Sequence, residues 1–98
     1  MNMREDELQA LVLDLAKMLR WPLIYHPYDS RRSTPGFPDL VLVRGKRLLF
    51  AELKSEKGKT RPEQREWLCA LTHAGAEALV WSPRDWRSGD IERNLLRR

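Results

Sequence analysis

Residues 36–54 read GFPDLVLVRGKRLLFAELK, and this stretch restricts the fold more than any other in the chain. Two apolar runs of strand length flank RGKR, so the segment folds back on itself as a hairpin. Two-residue hairpin loops favour type I′ or II′ turns, the latter with Gly first, which makes Gly45-Lys46 the turn. Counting outward sets Arg44 opposite Arg47, Val43 opposite Leu48, Leu42 opposite Leu49, Val41 opposite Phe50 and Leu40 opposite Ala51. The next pair is Asp39 and Glu52. A four-residue loop starting at Arg44 gives the same register.

Residues directly opposite each other share a face of the sheet, with Cβ atoms about 4.5–5.5 Å apart. Side chains alternate along a strand, so Lys54 shares the face of Glu52. Three charged groups therefore converge at one end of an apolar arm. Two carboxylates that close repel unless a proton or a cation lies between them. Lys54 supplies part of that charge, and a divalent cation such as Mg2+ or Mn2+ would supply more through oxygen ligands. An isolated Glu-x-Lys is most often a structural ion pair at a strand end. The register with Asp39, the preceding Pro38 and the apolar strands between weigh against that reading here.

Around the hairpin the chain reads α-β-β-β-α-β-α. A helix over residues 4–20 carries Leu8, Leu11, Val12, Leu15, Met18 and Leu19 on one stripe, with Glu5, Asp6 and Glu7 in its first turn. WPLIYHPY is a strand of about five residues bounded by Pro22 and Pro27. The hairpin strands cover residues 38–44 and 47–54, and DSRRSTPG and SEKGKT are polar, basic loops. The next helix starts with Thr60 and Glu63 as a capping box, tolerates Pro62 in its first turn and stops at Gly75. EALVW, residues 77–81, is a strand, and the remainder forms one or two short helices capped by Ser82 and Asp90. A hairpin followed by a strand-helix-strand crossover gives a small mixed sheet with helices on both faces. That is an α/β sandwich, and 98 residues suit a single domain, 1–98.

Composition removes several function classes. No apolar run approaches the roughly 20 residues that cross a bilayer, and MNMREDELQA lacks a signal-peptide core, so a cytoplasmic protein without membrane contact is expected. One Cys excludes an internal disulfide framework, and two widely separated His exclude a zinc-type cluster. The net charge is +4 and most of the 18 basic residues are Arg, which suits bidentate phosphate contacts. A basic balance alone is a weak sign of nucleic-acid binding.

Two helical positions bear on the charged cluster. Gln64 lies in the stripe of Trp67, Leu68 and Leu71, where it either meets a polar cluster beneath the helix or frays into solvent; spacing leaves both open. Glu5 and Gln9 lie one turn apart at one edge of the first helix's stripe, with Glu7 at the other edge. Spacing does not choose which acid reaches the hairpin.

GFPD followed by AELKSEKGKTRPEQREWL resembles the PD-(D/E)xK nuclease superfamily, and within it the VRR-NUC branch of virus-type replication-repair nucleases. The resemblance spans nearly the whole chain through an ordered set: E-x-x-x-Q in EDELQ, then G-x-P-D, E-x-K and G-x-x-x-x-x-Q. The length is similar to the stand-alone members of bacteria and their phages. The resemblance implies a restriction-endonuclease-like fold and Mg2+- or Mn2+-dependent hydrolysis of DNA phosphodiester bonds. It makes Asp39 and Glu52 metal ligands, Leu53 a ligand through its backbone carbonyl, Lys54 the catalytic lysine and Gln64 a residue beside the site. Glu5 matches the helix glutamate, reaching the metal through water, with Gln9 accessory and Glu7 a rival.

The metal would polarise the phosphate and acidify water. Lys54 would orient or deprotonate the attacking water and offset transition-state charge, so no Ser/His or Cys/His pair is needed. Arg31, Arg32, Lys57 and Lys59 would contact the phosphate backbone. Stand-alone relatives resemble structure-selective homodimers acting in DNA repair on branched DNA, such as four-way (Holliday) junctions, or on flaps. Trp81, Trp86, Ile91 and Leu95 offer apolar surface either for such a dimer or for packing onto their own sheet. Two alternatives stay open: the same fold acting on linear duplex ends or RNA, and a non-catalytic DNA-binding module.

Overall fold

The computed structural model describes residues 2–27 and 34–98. Its elements are α1 (Glu5–Met18), β1 (Leu23–Tyr25), β2 (Leu40–Arg44), β3 (Arg47–Leu53), α2 (Pro62–His73), β4 (Glu77–Trp81), α3 (Pro83–Arg87) and α4 (Asp90–Leu96). The four strands form one sheet in chain order, antiparallel from β1 to β3 and parallel between β3 and β4. Gly45 opens the hairpin turn with φ 60°, and the pairs run from Arg44↔Arg47 to Leu40↔Ala51. That is the register which the turn chemistry dictates. β1 is shorter than the expected strand because only Leu23–Tyr25 pair with β2.

One face of the sheet carries Leu40, Leu42, Leu49, Ala51 and Leu53, all buried against Leu8, Val12 and Ala16 of α1 and Ile91 and Leu95 of α4. Burying each such leucine stabilises the fold by about 1.5–3 kcal/mol. The stripe of α1 is centred on Leu8, Val12 and Ala16, and Met18 is turned out to 75% exposure, not into the core as the spacing predicts. α1 stops in a Schellman pattern, with Arg20 N–H on the Lys17 carbonyl and Trp21 N–H on the Ala16 carbonyl, both at 3.0 Å. Arg20 takes φ 65° there, a conformation that usually falls to Gly.

The opposite face alternates with the first and carries Val41, Val43, Leu48, Phe50 and then Glu52. α2 covers the Phe50 end through Phe37, whose ring meets Phe50 at 6.1 Å and Trp67 at 5.1 Å, both edge-on. Helices thus lie on both faces, as expected.

Local caps differ from the sequence reading. α2 is capped one residue later than Thr60/Glu63: the Arg61 N–H donates to Gln64 Oε1 at 2.8 Å. Ser82 caps α3 in reciprocal contact with Asp85, whereas α4 begins after Gly89, at φ 86°, and not after Asp90. Arg47 fastens the C-terminal helix to the sheet. It donates to both Glu77 carboxylate oxygens at 2.8 and 2.7 Å and to the Asn94 carbonyl at 2.8 Å. Among the described residues, no helix is long and apolar enough to cross a membrane.

Candidate active site

The site forms where β2 begins and β3 ends. Asp39 precedes β2, and its Oδ2 accepts the Leu53 N–H at 2.8 Å, continuing the ladder with a side chain in place of a backbone carbonyl. Glu52 is 2% exposed. Its Oε2 accepts the Gln64 amide at 2.8 Å and lies 3.4 Å from the Lys54 ammonium. Its Oε1 is buried and has no hydrogen-bond partner. Such an orphan is uncommon in a native interior and calls for a proton or a ligand. β4 fixes the strand end from the other side, where the Trp81 carbonyl accepts the Lys54 N–H at 2.9 Å.

Electrostatics agree with the geometry. The Glu52 carboxyl is pushed up to about 7, first by burial and then by the negative charge of Asp39; Lys54 acts in the opposite direction. Near neutrality the Glu52 carboxyl therefore lies close to the midpoint of its own titration.

Gln64 decides the ambiguity left by spacing. It is 6% exposed, caps α2 through Oε1 and holds Glu52 through Nε2. The GFPD loop makes this possible. A Cβ on Gly36 would lie 2.4 Å from the Glu63 carbonyl oxygen, and φ is 86° there, so only Gly lets the loop approach α2 this closely. Pro38 is fully buried and Phe37 is wedged under α2, which fixes the chain entering Asp39.

The other expected residues are more dispersed. Glu5 is exposed on the first turn of α1, Gln9 is half-buried, and Glu7 is engaged with the Arg4 N–H at 3.1 Å. Among the described residues, no third His, Cys, Asp or Glu joins Asp39 and Glu52 in a metal-holding group. Lys57 and Lys59 are exposed on the loop after β3, which Arg87 anchors by two bonds of 2.8 Å to Glu56. Arg31 and Arg32 lie outside the described residues. Sequence reasoning passed over Arg61, which lines a cavity of about 120 Å3 with Asp39 and Gln64. Its signal was its place three residues before Gln64, at the start of α2.

Comparison with known proteins bears on the same constellation. A family model for the VRR-NUC domain matches residues 4–83, a span that includes Asp39, Glu52, Lys54 and Gln64. A solved structure of a VRR_NUC domain protein is similar to this chain, with a TM-score of 0.65 and 26% identity over 84% of this chain and 79% of that one. Among curated proteins, no match is found. Fold, motif order and family match coincide, and the chain belongs to the VRR-NUC family of nuclease-type domains.

Proposed function

We propose that this chain is a divalent-metal-dependent endonuclease that hydrolyses phosphodiester bonds in branched DNA, four-way junctions or flaps, with Mg2+ or Mn2+ as cofactor. The observation that carries the reading is the buried Glu52 carboxylate beside Asp39, with one oxygen left without a partner. A buried carboxylate oxygen without a partner is uncommon in a structural ion pair and calls for a ligand. The donors fit a hard cation: Asp39 and Glu52 would hold it, joined by the Leu53 carbonyl. The Leu53 N–H already faces Asp39, and paired residues exchange N–H and C=O on the same side of a strand.

A cation held by Asp39, Glu52 and the Leu53 carbonyl would supply Lewis acidity to the phosphate and would make water a better nucleophile at neutral pH. Lys54, held against Glu52, orients that water and offsets negative charge growing on the phosphate. Gln64 fixes the Glu52 carboxylate, and Glu5 would act through an intervening water, with Gln9 accessory. Arg61, Lys57 and Lys59 hold the phosphate backbone beside the acids, with Arg31 and Arg32 as further candidates. Two copies would make a homodimer. Its surface is not the expected one, since Trp81, Ile91 and Leu95 are buried in the chain's own core. Of the exposed large apolar side chains among the described residues, Leu23, Tyr25 and Leu48 lie on the Glu52 face, while Met18 and Leu96 lie at helix ends.

The test is cleavage of junction, flap, duplex-end and RNA substrates with Mg2+, Mn2+ or chelator. Branched DNA is expected to be cut fastest, and Asp39→Ala, Glu52→Ala and Lys54→Ala each to lose about 100-fold or more in kcat. Mn2+ is expected to raise the Tm of wild type by mass action and not that of Glu52→Ala. Equal cutting by wild type and Lys54→Ala would remove the site assignment. Tight DNA binding without cleavage in either metal would make the chain a binding module.

A further inference from the structure

A groove of about 780 Å3 opens at the turn end of the hairpin. The intervening strand, Leu40–Arg44, spans roughly 17 Å at about 3.4 Å per residue, so the groove is remote from Asp39 and Glu52. Arg20, Arg44, Lys46, Arg47 and Arg98 line it, and no acidic residue does.

The cations are held in place rather than scattered. The guanidinium of Arg44 lies 4.4 Å from the ring centroid of Trp21 and that of Arg47 5.1 Å from it. Trp21 is itself buried and fixed by an N–H donated to the Leu95 carbonyl at 3.0 Å. Arg44 also donates to the carbonyls of Leu19 and Arg97, which orient its charge without neutralising it. Glu77 offsets Arg47 alone of the lining cations. Among the described residues, no ion pair offsets Arg20, Arg44 or Lys46.

Arg20 adds an independent observation. It occupies the left-handed position of a Schellman stop, where Gly costs least. An arginine there gives up local stability while placing a cation on the groove wall, and such an outlier points to function.

We propose that this groove binds the phosphate backbone of nucleic acid, as a second contact separate from the carboxylate site. The proposal rests on the reading of DNA as the substrate. Arg47 spends its N–H groups on Glu77, Asn94 and Arg97, so the contacts fall to the pre-oriented Arg44 guanidinium with Arg20 and Lys46 beside it, which suit phosphate oxygens and carry no base preference. The second segment would be another arm or flank of the DNA engaged at the acids.

The test is equilibrium binding of a four-way junction, without divalent metal, across a salt series. Each phosphate contact contributes a slope of about −0.9 in log affinity against log salt. Arg20→Gly and Lys46→Gln are each expected to flatten the slope by about one unit, so that about 3.5-fold less affinity is lost between about 50 and 200 mM salt. Arg20→Gly is expected to keep or raise Tm, because Gly is favoured at this φ; weaker binding then cannot come from misfolding. Wild-type slopes in both variants would overturn the groove. Flattened slopes together with no metal-dependent cleavage by wild type would uphold the groove and remove the nuclease reading, so the two failures are told apart.

Discussion

Gln64 joins two parts of the molecule that the chain keeps twelve residues apart, the end of β3 and the start of α2. One end of its amide caps the helix and the other neutralises part of the demand of a buried carboxylate. Gln64→Ala removes a cap, at about 1 kcal/mol, and takes a donor from a buried acid, at about 1–3 kcal/mol. The combined loss of about 2–4 kcal/mol lowers Tm by at least roughly 8 °C in a domain of this size, measurable by thermal denaturation. An unchanged Tm would show that the amide does not bridge the two elements in solution. At this scale much was legible. Asp39, Glu52 and Lys54 follow from a turn type and a period of two. Gln64 was ambiguous because periodicity gives a face but not the depth of a first turn. That depth is set by Gly36, whose approach to the Glu63 carbonyl is a contact between segments distant in sequence.

Among elements, the β2–β3 hairpin is the rigid arm and the Arg47–Glu77 pair is the latch at its far end. The latch joins β3, β4 and α4, since Arg47 also reaches the Asn94 carbonyl and Arg97 reaches Glu77 at 2.9 Å. Arg47, chiefly by hydrogen bonding and then by its charge, holds the Glu77 carboxyl below its ordinary value of 4.5; Arg97 adds to this. A depressed folded-state value means that the stabilisation is present above the unfolded value and is lost as pH falls through the folded one. The stability difference between wild type and Glu77→Gln is therefore expected to shrink as pH drops below about 4.5. Urea unfolding across that range reads it. A difference that does not vary with pH would mean that the ion pair contributes nothing. Helix positions were legible from periodicity and stops. Caps were less so: Thr60, Arg61 and Gly89 each have neighbours of capping type, and only the path of the loop selects among them.

For the whole molecule, the uncovered apolar strip on the Glu52 face is where the proposed homodimer would form. Leu23 is 64% exposed and Tyr25 59%, on a three-residue edge strand, and Leu48 extends the strip across the sheet. If a homodimer forms on this strip, a two-fold axis would set two acidic sites beside one another. Leu23→Asp combined with Tyr25→Lys is expected to give a monomer by analytical ultracentrifugation, with wild-type secondary structure and reduced paired cleavage of a junction. A dimer that survives the double substitution would move the interface elsewhere. Trp81, Trp86, Ile91 and Leu95 suit either a dimer surface or the chain's own sheet by apolar content alone, and the packing of α3 and α4 settles it: Trp81, Ile91 and Leu95 are buried in the core and Trp86 packs partly against it.

What the sequence by itself determined was the local order: the hairpin register, the alternation that puts Asp39, Glu52 and Lys54 on one face, and the succession of helices and strands. These follow from turn chemistry and periodicity, which act over a few residues. Only the tertiary structure decided which polar groups are dry. The unpartnered Glu52 oxygen, the bridging role of Gln64 and the cations gathered around Trp21 all arise from segments brought together by packing. Burial is a property of the assembled layers and not of any one stretch of chain.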